Sequence, residues 1–115
     1  MPRISAAKYR KMKNSYRPDV ARYLSQRTGV ISYGELSKQF GINPRSWGDI
    51  VGGIAIRTSE NRLPILSVIV VNAMTGKPSK DAIQYEELGL ISDELIAEEQ
   101  VKCFAFDWSS TIIGR

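Results

Sequence analysis

Residues 30–71 read VISYGELSKQFGINPRSWGDIVGGIAIRTSENRLPILSVIVV, and this run decides the fold. Val30 and Ile31 make a short strand-like lead-in. Ser32 followed by Glu35 is a capping box: the hydroxyl accepts from an orphan amide, and the carboxylate reaches back to the cap. The helix so opened, Tyr33 to Phe40, stops at Gly41. Asn43 then Pro44 is a second start signal, asparagine as cap and proline at the first helical position, where its missing N–H is harmless. The second helix is expected to run to about Ile56, with Ile50, Val51 and Ile54 in the core. Gly52 and Gly53 each lower its intrinsic helicity by about 1 kcal/mol relative to Ala. Such a cost points to a kink or to another backbone packed close by. Ile65 to Val71 is apolar and β-branched almost throughout, which predicts a buried strand, and Asn72 to Lys77 supplies turn residues.

Outward from this run the signals thin. Ser5 to Asn14 reads as a basic helix or a disordered arm, its apolar content limited to Ala6, Ala7, Tyr9 and Met12. Pro18 suits the first turn of a helix running to about Arg27, with Val20, Tyr23 and Leu24 on its buried face. Ser92 caps a last helix from Asp93 to about Trp108. The stripe Ala97, Val101, Phe104, Ala105 and Trp108 is its expected core face.

The chain has 115 residues, which suits one domain with a small core. No apolar run is long enough for a membrane span, and nothing resembles a signal peptide. Cys103 is the one cysteine, which excludes an intramolecular disulfide and suits a reducing, cytoplasmic setting. Histidine is absent, so the commonest general base and metal ligand are missing. Net charge is +4, unevenly laid out: residues 1–30 carry +7 and residues 81–115 carry −6. One end suits phosphates and the other repels them. The carboxylates Glu86, Glu87, Asp93, Glu94, Glu98 and Glu99 lack the loop-borne spacing of a hard-cation site, so neither metal nor cofactor is expected.

Only Gly41 and Ile42 separate the first helix from the Asn43-Pro44 start of the second, the turn length of a helix-turn-helix. In that motif the start of the second helix meets base edges and phosphates. Arg45 can fork onto guanine or phosphate, and Ser46 can bond either. Trp47 reads either as a residue that stacks on or wedges a base step, or as a core anchor. Tyr33, Lys38, Arg10, Lys11 and Lys13 are assigned to phosphates, and Arg57 and Lys77, with Arg62 and Lys80, lie where a wing touches the backbone.

Residues 29–76, about 40% of the chain, resemble the winged-helix domain of alkylguanine-DNA alkyltransferases and their non-catalytic relatives, the alkyltransferase-like proteins. The resemblance is carried by Val30-Ile31-Ser32-Tyr33, Leu36, Gly41-Ile42-Asn43-Pro44, Val51-Gly52-Gly53, Leu63-Pro64-Ile65-Leu66 and Val70-Val71, in that order. It implies a winged helix that approaches DNA through its second helix, with Tyr33 at the place of the tyrosine that helps rotate a nucleotide out of the duplex. With Val70-Val71 aligned, Ser67 falls at the place of the reactive cysteine, and Val68 and Ile69 replace the histidine and arginine beside it. No base is left to activate Ser67, so alkyl transfer is not expected. The arginine that the family inserts into the base stack has no clean match, with Arg45, Trp47 and Gly48 nearby. The later run LPILSVIVVNAMTGKPS and the acidic helix depart from that family and look like a small bacterial and phage domain of unassigned role.

The expected fold is therefore α+β and mainly helical, a winged helix-turn-helix-like domain with a short sheet and extra N- and C-terminal helices. One domain spans 1–115: a basic arm or helix at 1–16, a winged-helix-like core at 17–80, and an acidic helical segment at 81–115. The expected function is non-enzymatic binding of nucleic acid, DNA before RNA and duplex DNA above all. The alternative is a protein–protein module or phage-type inhibitor of a nucleic-acid-processing enzyme. In that case the acidic helix docks a protein partner or mimics nucleic acid; otherwise its charged face is simply solvated.

Overall fold

Ser32 takes an extended conformation and accepts from the Glu35 amide, while Glu35 returns a carboxylate to the Ser32 N–H, so the capping box forms as expected. In the computed structural model, which describes residues 6–43, 46–78, 90 and 92–113, this box opens helix α3, Tyr33–Phe40. Gly41 closes α3 at φ 64°, where a side chain would be strained. Before α3 come α1 (Ala6–Asn14), α2 (Pro18–Ser25) and strand β1 (Ile31–Ser32). After it come α4 (Trp47–Glu60), a 3-10 turn (Leu66–Ile69), strand β2 (Val70–Val71), α5 (Asp93–Ala105) and a second 3-10 turn (Trp108–Ser110). The protein is α+β and mostly helical, with a two-stranded parallel sheet that pairs Ile31 with Val70 and Ser32 with Val71. No antiparallel wing hairpin follows α4 among the described residues.

Residues 6–14 form a helix, and one residue explains why. Met12 is fully buried and lies against α4 where Gly52 and Gly53 leave the backbone bare. A Cβ on Gly52 would collide with the Met12 side chain, and one on Gly53 would meet the Met12 carbonyl and stand 3.2 Å from Tyr16 Cα. Of the two sequence readings of the glycine pair, close packing of another backbone is the one realised.

Several boundaries and faces differ from expectation, and α4 starts at Trp47 with Ser46 at its cap position rather than at Pro44 after an Asn43 cap. Helix α2 stops at Ser25 rather than Arg27, because Gln26 and Arg27 donate to Tyr23 and Leu24 in a tightened last turn. Helix α4 runs four residues beyond Ile56, to Glu60. It ends in a Schellman-type closure in which Leu63 N–H reaches Thr58 O and Arg62 N–H reaches Ser59 O.

Ile65 to Val71 is buried throughout, but only its last two residues are strand. Its backbone finds partners on α5 instead of in a sheet. Glu99 accepts from Ile65 N–H at 2.8 Å, Gln100 donates to Val68 O at 2.9 Å, and the Cys103 thiol reaches Ile65 O at 3.5 Å. Buried backbone groups must be paired, and these side chains allow the run to fold as a 3-10 turn.

That duty sets the face of α5. Glu99 and Cys103 are buried and Leu95, Ile96 and Gln100 half-buried, whereas Ala97, Val101 and Ala105 of the expected core stripe point outward. Helix α5 also ends at Ala105. Trp108 belongs to the turn beyond, buried with its indole N–H on Cys103 O. Among the described residues no helix is long and apolar enough to cross a membrane.

Candidate nucleic-acid interface

The start of α4 is fixed by an aromatic column. Tyr23 of α2 meets Phe40 of α3 edge-on at 5.4 Å, and Phe40 meets Trp47 of α4 at 6.3 Å. The Trp47 indole N–H donates to Ser37 Oγ at 2.6 Å, locking α3 to α4 across the turn. Trp47 is only 1% exposed, which removes it from the surface assigned to base stacking and makes it the core anchor. Burial with a satisfied indole N–H is the usual state of a core tryptophan.

Ser46 stands exposed at the α4 start. Its amide donates to Asn43 O at 2.9 Å, and its hydroxyl does not cap the helix. The assignment of Arg45 lies outside the described residues. Lys38 is exposed on α3, and no ion pair ties it to a carboxylate among the described residues. Tyr33, at the first position of α3, is half-buried and packed on the core.

The basic α1 crosses α4 and spends part of its charge there. Lys11 Nζ lies 3.4 Å from Asp49, one helical turn beyond Ser46. Lys13 lies 3.6 Å from Glu60 at the opposite end of α4, where Tyr9 also donates to Glu60. Lys11 is nevertheless 73% exposed, and Arg10 is exposed on the outer side of α1. Arg57 is exposed and lies over the Tyr16 ring, 4.4 Å from its centroid. It is eleven residues past Ser46, about 16 Å along the helix axis. Burial pushes the Tyr16 phenol up, and the nearby Arg57 charge partly opposes that.

Lys77 is elsewhere. It closes the Asn72 turn and holds Asp93 at the start of α5 at 2.7 Å. The bond to Asp93, then its charge, raise the Lys77 ammonium above its usual range.

The assigned residues therefore fall into three groups. Ser46 and Lys11 lie around the start of α4, and Lys38 is next in sequence to Ser37, which bonds Trp47 there. Lys13 and Arg57 lie around its end. Lys77 sits against α5. Sequence reasoning missed Tyr9 and Tyr16, although Tyr9, Met12 and Tyr16 at i, i+3, i+7 spacing carry the signal of one helix face.

Two groups bear on chemistry. Ser67 is fully buried, and burial pushes the Cys103 thiol up to about 12, with the Glu99 charge adding to the rise. Neither is placed to attack a bound substrate. Comparison with known protein families, with curated proteins and with solved structures finds no match to this chain.

Proposed function

We propose that this protein is a non-enzymatic nucleic-acid binder, for duplex DNA in preference to RNA. The start of α4 meets the groove, and Lys38, Lys11 and Arg10 meet phosphates. The observation that carries the reading is the docking of the basic α1 beside the start of α4, where Lys11 reaches Asp49 one turn after Ser46. This sets exposed cations from α1 and α3 around the end of a helix-turn-helix that enters the major groove in proteins built that way. The alkyltransferase-like, winged-helix resemblance of residues 29–76 points the same way.

Binding without reaction is supported by the absence of histidine, the sealed Ser67 and the protonated Cys103. A lone buried thiol also suits a cytoplasmic setting.

Fluorescence anisotropy with a duplex at about 0.1 M and about 1 M salt tests the reading, because phosphate contacts weaken steeply as counterions return. Affinity falls with salt, and Lys38→Ala with Arg10→Ala lowers it at low salt. An affinity that ignores both salt and the double substitution refutes the assigned face.

One observation favours a second reading, protein docking through α5: Val101 is 64% exposed on the outward face with Ala97 and Ala105. A stoichiometric protein recovered from nuclease-treated lysate by the natural chain, and lost with Val101→Arg, supports that reading over the first.

A further inference from the structure

The far end of α4 carries a second surface. Tyr9 and Lys13 of α1, Tyr16 just beyond it, and Arg57 of α4 come together there. Lys13 Nζ lies 5.5 Å from the Tyr9 ring centroid, and the Arg57 guanidinium lies 4.4 Å from that of Tyr16. Both tyrosines are half-buried against the core, so their rings are held, while both cations are exposed. The carboxylate at this ledge, Glu60, is engaged by Tyr9 Oη and Lys13 Nζ. Arg57 has no ion pair with a carboxylate among the described residues.

A guanidinium is planar and weakly hydrated, and it stacks on aromatic faces. Seated on Tyr16, that of Arg57 keeps its other face for a nucleobase and its N–H edge for a phosphate. Inside a duplex, base faces are hidden in the stack, and only an unpaired nucleotide offers one. We propose that the ledge of Tyr9, Lys13, Tyr16 and Arg57 binds an unpaired nucleotide, so that the protein prefers a duplex ending in a single-stranded overhang to a blunt one. The inference rests on the nucleic-acid reading above, in which the start of α4 holds the duplex. Ser46 and Arg57 are about 16 Å apart along α4, close to five nucleotides of a stacked strand at about 3.4 Å each.

The test measures dissociation constants by anisotropy for three probes: a blunt duplex, the same duplex with an overhang of about six nucleotides, and the overhang strand alone. The overhang duplex binds about tenfold tighter than the blunt one, the scale of one stacked base. Arg57→Lys keeps the charge but loses the plane, and it abolishes that gain while blunt-duplex affinity stays within about twofold. Tyr16→Leu abolishes the gain as well, and Tyr16→Phe, which keeps the ring, preserves it. Arg57 is exposed, so its variants fold, and circular dichroism checks those of Tyr16.

Equal affinity of the natural chain for blunt and overhang duplexes overturns the ledge and leaves the duplex reading standing. No affinity for any probe overturns both. A gain that survives both Arg57→Gln and Tyr16→Leu overturns the ledge. Binding of the single strand without the duplex supports the ledge and overturns the placement of a duplex at the start of α4.

Discussion

The backbone carbonyl of Met12 occupies the place where a side chain on Gly53 would have to stand. The neighbouring backbone of Tyr16, 3.2 Å from that point at both N and Cα, closes off the other direction of escape. Gly53→Ala therefore forces α1 away from α4. Overpacking of this kind costs about 1–3 kcal/mol, against which the better helix propensity of alanine returns about 1. At Gly52 the obstacle is the Met12 side chain, whose Sδ collides and whose Cγ stands at 3.1 Å; a thioether can shift where a backbone cannot, so Gly52→Ala is milder. Urea denaturation should rank Gly53→Ala as clearly destabilised and Gly52→Ala as near neutral. Equal effects would show that α1 does not rest on the bare backbone of α4.

Arg62 adopts φ 57° at the closure of α4, a left-handed position usually held by glycine. The strain of a branched backbone there exceeds the extra chain entropy that glycine loses on folding. Arg62→Gly is expected to stabilise the protein by about 0.5–1 kcal/mol and raise Tm by a few degrees. A calorimetric scan showing a lower Tm would mean that the Arg62 side chain makes a contact worth more than the strain.

Cys103 gives the fold a defined alkaline sensitivity. Its thiol is pushed up to about 12 from an ordinary value of 9.0, mainly by burial. As pH rises past 9 the unfolded chain loses this proton while the folded chain keeps it. Stability is thus complete below 9 and declines toward 12, by at most about 1.4 kcal/mol per pH unit. Tyr16 and Lys77 are also raised, from 10.0 and 10.5, and contribute in the same direction only above those values. The urea midpoint of the natural chain should fall from about pH 9 to about pH 10, and that of Cys103→Ala, which is weaker throughout for its cavity, should fall less. A parallel decline in both chains would remove the thiol as the cause.

Local signals in this chain were readable and non-local ones were not. The Ser32–Glu35 box and the Gly41 stop each depend on neighbours within one turn, and both formed where the sequence placed them. The glycine pair announced a close contact but not its occupant, because Met12 lies forty residues upstream in a segment with little apolar content. The run from Ile65 to Val71 has the composition of a strand, and its burial was legible. Its conformation was decided by Glu99 and Gln100, which complete its hydrogen bonds from α5. For the same reason the face of α5 was misread: a glutamate looks like a solvent residue until a buried amide is found to need it. At the candidate interface, Ser37 settled the role of Trp47 from ten residues away.

Asp49 offers the sharpest probe of the surface around the start of α4. It is the carboxylate that Lys11 meets at 3.4 Å, with Lys11 73% and Asp49 28% exposed. An exposed pair of this kind contributes about 0–1 kcal/mol, so a phosphate can compete for the lysine. Asp49→Asn releases Lys11 and removes a negative charge one turn from Ser46. It also removes an acidic group from the first turn of α4, where it favours the helix by about 0.3–1 kcal/mol, so stability falls slightly. If a polyanion occupies this surface, duplex affinity rises by about two- to fivefold at low salt, with the log–log salt slope steeper by about one. Lys38→Ala moves both quantities the other way, by the loss of one phosphate contact. Anisotropy titrations across salt read both variants, and a pair that leaves affinity and slope unchanged while folding normally would exclude this end of α4 as the polyanion face.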